Sequence, residues 1–333
     1  MDACSMDVCS KDQRKASGIS MDLQRVAEES LCKIGVDTGK TPAIALFSGG
    51  GDSTALLLAL SRIYDPAELL AIHFNYGLRG DSSAGDESFC RDFCARLGVP
   101  IEVHRAPDHP GGNLQDWARD LRYAAAEERA AQLGDDTVIV VAHTADDQAE
   151  TILYRLFASP GRRALAGMSP RRGRIVRPLL DVRRSELREW LTEQGEVWRE
   201  DASNDDPRFA RVRARKLLAD AEALHPAAIA NLLTTAEDLR TEGAELTEVV
   251  DGLTLGLTTE DGALDLDGLA ELPPALGGAV LRRYVEERRP VPVPKAARVL
   301  AEALRLGKSG EARELQVEGA RIAIQAGRAR VLH

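Results

Sequence analysis

The chain of 333 residues is long enough for two domains with buried cores rather than one. With 44% hydrophobic and 29% charged residues it has the composition of a water-soluble globular protein, and no apolar run approaches the roughly 18 residues that a membrane span needs. A net charge of −10 argues against a protein that coats nucleic acid by bulk charge.

The first 20 residues carry charges and no apolar core, so they are expected to be a disordered tail rather than a secretory signal, with Met21 as a second plausible start. The five cysteines, Cys4, Cys9, Cys32, Cys90 and Cys94, are odd in number, which argues against a disulfide framework and for the cytoplasm. Ala43–Phe47 is a short apolar run ended by glycines, as a buried parallel strand requires. Residues 54–63 then read as a helix, 69–74 as a strand, 84–97 as a helix and 101–104 as a strand. A long helix over 114–133, a strand over 137–142 and a helix over 145–157 complete an α/β pattern with a parallel sheet covered on both faces.

After Lys216 the pattern changes. Residues 225–250 read as amphipathic helix, 251–268 as a polar stretch with glycines, and 276–288 and 295–304 as helices around a Pro-rich punctuator. Alternation over 314–332 suggests hairpins. The expected organisation is a tail over 1–20, a catalytic domain over 21–218, and a small, mostly helical domain with C-terminal hairpins over 219–333.

The strand–turn–helix containing Ser48-Gly49-Gly50-Gly51-Asp52-Ser53 is how a chain aims backbone N–H groups and a helix N-terminus at an anion. The three glycines are expected to permit positive φ and close approach, and Ser48 and Ser53 add hydroxyl donors. Asp52 beside polyphosphate is repulsive unless a divalent cation lies between, so Asp52 is assigned to Mg²⁺. Lys40 and Lys308 follow glycines, but neither segment has the Walker spacing. A glycine loop without lysine suits attack at the α-phosphate with pyrophosphate leaving.

His143-Thr144-Ala145-Asp146-Asp147-Gln148-Ala149-Glu150-Thr151 follows the best strand directly, so it is expected to face the same crevice as the Ser48 loop. Asp146 and Glu150 share one helix face, with Asp147 one step round. One of these carboxylates is accounted for by helix capping; the others would bind Mg²⁺ or a cationic substrate. Two basic runs stand out on the acidic chain: six arginines within 161–177, and four arginines with a lysine within 208–216. Trp117, Trp190 and Trp198 read as core or interface anchors, with base stacking an alternative for Trp198.

These blocks, in this order, resemble the tRNA(Ile)-lysidine synthases within the PP-loop (N-type) ATP pyrophosphatases. Ser48–Ser53 resembles the SGGxDS loop, His73-Phe-Asn-Tyr-Gly-Leu-Arg79 the HxNHGLR stretch, and Ala118-Arg119-Asp-Leu-Arg122-Tyr123 the ARxxRY segment. His143–Thr151 resembles HxxDDQxET, while Arg177-Pro-Leu-Leu180, Glu200-Asp-Ala-Ser-Asn204 and Arg211-Val-Arg-Ala-Arg215 are similar to later motifs. Departures are Tyr76 in place of a second histidine, Val212 in place of an asparagine, and Ser159-Pro160-Gly161 in place of an RGxG turn.

The resemblance implies an adenine nucleotide α-hydrolase-like fold and a two-step ligase. ATP binds over Ser48, Gly49, Gly50, Gly51, Asp52 and Ser53, with His73 in the same cofactor-binding set. The C2 carbonyl oxygen of the wobble cytidine in a CAU-anticodon, isoleucine-specific tRNA attacks the α-phosphate. The side-chain amine of free L-lysine then displaces AMP. Asp52, Arg119, Asp146, Glu150 and Arg211 are the expected catalytic residues, and Asp52 with Asp147 the expected Mg²⁺ ligands. The basic runs would hold tRNA phosphates, with no membrane partner; a homodimer is entertained. The alternatives weighed are another PP-loop adenylating enzyme, thiolase or amide-forming, and a non-catalytic nucleotide- or tRNA-binding module.

Overall fold

The structure is a computed structural model. It describes residues 21–77, 81–107, 109–158, 165–200, 210–289, 293, 295–308, 311–317 and 319–332. The chain divides into two compact units, Met1–Glu237 and Asp238–His333.

The first unit is built on a six-stranded sheet of order β3-β2-β1-β4-β6-β5. Its strands are β1 (Ala43–Leu46), β2 (Leu69–Asn75), β3 (Ile101–Arg105), β4 (Val138–Val140), β5 (Arg171–Arg172) and β6 (Ile175–Val176). All pairings are parallel except the short β5–β6 edge. β1 is central, with Ala43 opposite Leu69 on one side and Val138 on the other.

Its alternating side chains serve two layers, as the pleat demands. Ala43, Ala45 and, just beyond the strand, Phe47 enter a core that also contains residues of α1 (Leu23–Lys33), α2 (Gly51–Leu60), α3 (Asp81–Leu97) and α6 (Arg184–Glu193). Ile44 enters another core with Ile72, Phe74 and residues of α4 (Leu114–Leu133). Helices on both faces explain why the central strands β1 and β4 are apolar throughout.

α2 is almost wholly buried from Ser53 to Leu60, so its apolar residues run all round it rather than along a stripe. Local signals place other helix starts: Asp22 caps α1, and Asn113 accepts from the Gln115 and Asp116 amides of α4. α5 (Ala145–Ala158) and α7 (Ala210–Leu224) pack together, with Ala149, Leu218 and Ile229 in one small core.

The unit boundary falls within α8 (Ala228–Leu257). Beyond it lie α9 (Leu266–Ala270), α10 (Pro274–Arg288) and α11 (Ala296–Gly307), with β7 (Leu264–Asp265), β8 (Arg313–Val317), β9 (Ala320–Gln325) and β10 (Arg328–Leu332). These strands form an antiparallel sheet of order β7-β10-β9-β8. Tyr284, 1% exposed, anchors this core and donates its hydroxyl to the Gly262 and Ala329 carbonyls.

The polar stretch predicted over 251–268 is instead helical to Leu257. Thr254 and Thr258 bond back to carbonyls four residues earlier, and Leu253 and Leu257 pack on the unit's core, which overrides the glycine signals at 252 and 256. Among the described residues no helix is long and apolar enough to cross a membrane.

Candidate nucleotide and acceptor site

The strand order reverses at β1: the chain steps outward to β2 and β3, then returns to place β4 on the other side. In an open parallel sheet such a switch point leaves a crevice at the carboxyl ends of the two strands. The Ser48 loop leaves β1 there and His143–Glu150 leaves β4, so the two constellations face one crevice. A cavity of about 200 Å³ lies between them, lined by Ser48, Asp52 and Ser53 from one side and His143 from the other. Its apolar lining includes Ile72 and Phe74.

The loop is tied internally. The Ser48 and Ser53 hydroxyls are 3.0 Å apart, Ser53 Oγ accepts from the Ser48 amide at 3.2 Å, and Ser53 Oγ donates to the Gly50 carbonyl at 3.0 Å. Only Gly49 has the positive φ expected of the loop glycines, at 84°, and a Cβ there would meet Cys90 Sγ at 3.1 Å. Gly50 has φ −73°, where a Cβ would make only an ordinary contact with Ser48 Oγ at 3.5 Å, and Gly51 is the first residue of α2. Gly50, as the N-cap, has no side chain to bond the first helical amides. Helix-start amides left without capping side chains suit an anion.

Across the crevice, the acidic helix α5 is laced to α6 by two arginines. Arg183 donates to Asp146 Oδ1 at 3.0 Å and to Glu222 of α7 at 2.8 Å, while the Arg184 amide donates to Asp146 Oδ2 at 2.7 Å. Both Asp146 oxygens are therefore engaged. Burial alone would raise its carboxyl, but these hydrogen bonds hold it below the usual carboxylate range.

Asp147 Oδ2 accepts from the Thr144 amide and hydroxyl, each at 2.9 Å, a helix-start arrangement. Its Oδ1 accepts from Arg184 Nη2 at 3.0 Å. Arg184 Nε reaches Asp52 Oδ2 at 3.2 Å, and Nη1 stands 3.6 Å from Glu150 Oε1. Burial pushes the Asp52 carboxyl up to about 6 against the pull of Arg184. Glu150, 2% exposed, accepts from Arg215 at 2.9 Å. Its carboxyl is raised by burial and by the Asp147 charge.

His143, three residues beyond the end of β4, lines the cavity. Its Nδ1 accepts from Arg177 Nε at 3.2 Å, and burial lowers its pKa to about 4, so the ring is neutral at pH 7. Arg122 also lines the cavity, and its buried Nε has no hydrogen-bond partner among the described residues.

The other predicted site residues fall at different places. His73 is 3% exposed and its Nδ1 lies 2.9 Å from the Phe47 carbonyl. It stands on the sheet face opposite Ile72 and Phe74, under the loop rather than in the cavity lining. Arg119 lies over the Tyr123 ring at 5.5 Å and near enough to His143 and Arg177 to disfavour their protonated forms. Arg211 is exposed on α7, within electrostatic reach of His143.

Within the basic run 161–177, Arg171, Arg174 and Arg177 spend their guanidinium groups on carbonyl oxygens: Ile34, Asp135 and Ser169 respectively. They pin loops, a use that a count of charges could not reveal. Arg162, Arg163, Arg208, Leu78-Arg79, Ser159–Gly161, Asp201–Asn204 and the tail lie outside the described residues. Tyr76 donates its hydroxyl to the Ala118 carbonyl, joining β2 to α4.

Sequence reasoning missed Arg183, Arg184 and the pairing of Arg215 with Glu150. The signal for the first two was the adjacent arginine pair opening a helix four residues after Leu179, with nothing local to show which acids they would meet. Trp198 packs against the phosphate loop in this structure rather than standing free.

Residues 21–222 match the PP-loop domain family, more than half of the chain, and the protein belongs to that family. Its sequence is also similar to curated tRNA(Ile)-lysidine synthases, bearing out that resemblance. It is 38% identical to the one from Pseudomonas aeruginosa over 68% of this chain and 52% of the relative. It is 36% identical to that of Ralstonia nicotianae over 76% of this chain and 56% of the relative. The chain thus spans about half the length of the curated relatives it matches. Among solved structures, a U34-tRNA thiolase from Methanococcus maripaludis superposes with a TM-score of 0.52 at 16% identity, covering 66% of this chain and 77% of the other. At that identity the likeness concerns the fold alone.

Proposed function

We propose that the protein is an ATP-dependent ligase that adenylates the wobble cytidine of a CAU-anticodon tRNA(Ile) and joins free L-lysine to it, releasing pyrophosphate and AMP. The observation that carries this reading is the convergence of the Ser48–Ser53 loop and the Asp146–Glu150 helix on one crevice, joined by Arg184. Relatives at 36–43% identity bearing the name tRNA(Ile)-lysidine synthase support the choice of acceptor.

In this reading the Gly50–Ser53 start of α2 holds the phosphates through its amides and hydroxyls. The cavity's apolar floor at Ile72 and Phe74 takes the base. The donor set fits Mg²⁺: Asp52 and Asp147 converge on one guanidinium, and Mg²⁺ is commonly held by one or two carboxylates with the substrate phosphates supplying the rest. Among the described residues no three His, Cys, Asp or Glu side chains are grouped to hold a metal ion by themselves. When bound, Mg²⁺ would neutralise charge building on the phosphates.

Neutral His143, fixed by Arg177, can donate a hydrogen bond from Nε2 toward the cavity. Arg119 and Arg122 bring positive charge to the developing phosphorane. Glu150, its carboxyl raised by burial, is assigned to accept a proton from the lysine ammonium, since only the free amine is nucleophilic. Asp146, spent on Arg183 and the α6 start, serves positioning rather than substrate contact. We place the reaction in the cytoplasm, and assign tRNA contacts to the exposed residues Arg172, Arg211 and Arg213.

The test is lysine transfer from Mg-ATP and labelled lysine to tRNA carrying CAU or GAU anticodons. Incorporation confined to CAU supports the reading. Pyrophosphate release with no lysine transfer to either tRNA would discard the acceptor and leave the adenylation. Sedimentation of the same sample separates monomer from homodimer.

A further inference from the structure

Residues 196–200 run beside the phosphate loop and are held there from several directions. The Arg199 amide donates to the Gly49 carbonyl at 2.9 Å, and Arg199 forms a parallel bridge with Gly50, so the segment adds one rung of sheet to the loop. The Trp198 indole lies over Gly51: a Cβ on that glycine would stand 3.4 Å from the ring's Cδ1 and Nε1. Arg199 Nε donates to Asp86 of α3 at 2.8 Å, and Arg96 at the end of α3 donates to Glu196 at 2.8 Å. Glu200 accepts from Trp198 Nε1 at 2.8 Å and faces Arg188 of α6 at 3.5 Å.

A loop with three successive glycines has backbone freedom that an anion site must restrict before its amides can converge. Ser48 and Ser53 restrict Gly50 from within. The Gly49 carbonyl has two partners, Thr54 Oγ1 at 3.3 Å and the Arg199 amide at 2.9 Å. The second is shorter and comes from outside the loop. A rigid indole against Gly51 then limits movement of the first turn of α2.

We propose that Trp198 and the Arg199 amide form a positioning strap that presets the Gly49–Gly51 backbone for the phosphates of a nucleotide. The proposal rests on the nucleotide reading of the loop given above. Because the ring is seated on the loop, its emission also senses whether the loop is filled.

Trp198 also packs on the edge of the large core, so a purely structural role would cost stability and leave nucleotide affinity of the folded protein unchanged. The experiment is calorimetric titration of Mg-ATP into the full chain, wild type, Trp198→Phe and Trp198→Ala, with a thermal melt of each. Steady-state kinetics and tryptophan emission are followed on the same samples. Trp198→Ala is expected to raise the ATP Kd and KM about tenfold while kcat at saturating ATP stays within about threefold, and Trp198→Phe to restore most of the affinity.

The ATP-induced change in emission is expected in the wild type and absent in Trp198→Phe, although Trp117 and Trp190 remain. A folded Trp198→Ala protein with wild-type Kd, or an emission change that persists in Trp198→Phe, overturns the strap. If Trp198→Ala does not fold, the Phe variant's emission decides. Absence of any heat with the wild type would instead overturn the nucleotide reading, and the strap with it.

Discussion

The guanidinium of Arg184 donates to Asp52 at 3.2 Å while the same group reaches Asp147 at 3.0 Å, so one side chain joins the phosphate loop's helix to the acidic helix across the crevice. The Arg184 side chain is only 18% exposed, and removing one partner of a buried charge cluster leaves the others uncompensated. Arg184→Ala is expected to cost about 3 kcal/mol in urea unfolding. Arg184→Lys should cost less, because it keeps the charge and loses the fork. Equal, negligible losses in both would contradict the bridging role.

Gly49 and Gly50 separate the two meanings of a glycine-rich loop. Gly49→Ala must adopt φ near 84° and push a methyl toward Cys90 and Phe89, so we expect a loss of about 2 kcal/mol or more and weaker ATP binding. Gly50→Ala meets only Ser48 Oγ at 3.5 Å with φ −73° and should unfold within about 0.5 kcal/mol of wild type. Urea midpoints of the two variants check the contrast.

His143 supplies a pH signature. Its folded pKa of about 4 lies below the ordinary value near 6.5, so the unfolded chain binds the extra proton between those values. Stability from this group is therefore complete above about pH 6.5 and lost as pH falls toward 4. Wild type minus His143→Gln, measured by urea unfolding at pH 7 and pH 5, should shrink by about 1–2 kcal/mol at the lower pH. An unchanged difference would show that His143 is not buried as a neutral base.

Asp52→Asn should separate activity from stability. The carboxylate is raised by burial, so replacing it with a neutral isostere removes a desolvation cost, although Arg184 loses one partner. Pyrophosphate release is expected to fall by at least about 100-fold with the melting temperature close to wild type. Retained pyrophosphate release would remove Asp52 from the machinery.

The parallel sheet and both strand-to-helix constellations were legible because each rests on local signals: apolar runs of strand length, glycines after β1, and carboxylates opening the helix after β4. That they share a crevice followed from the general behaviour of open sheets. The partners were not legible. Nothing near Asp146 in the sequence points to Arg183, 37 residues on, and Glu150 pairs with Arg215, 65 residues away. The same long range hid the fate of the basic run, where Arg171, Arg174 and Arg177 pin distant carbonyls. Tertiary packing likewise carried α8 past glycines that read as breaks.

In the proposed reaction ATP is cut between its α- and β-phosphates to drive joining of lysine to tRNA. ³¹P NMR of a reaction with Mg-ATP, lysine and CAU-anticodon tRNA, with incorporated lysine counted in parallel, tests it most directly. One AMP and one pyrophosphate are expected for each lysine joined. ADP and inorganic phosphate as the products would contradict it.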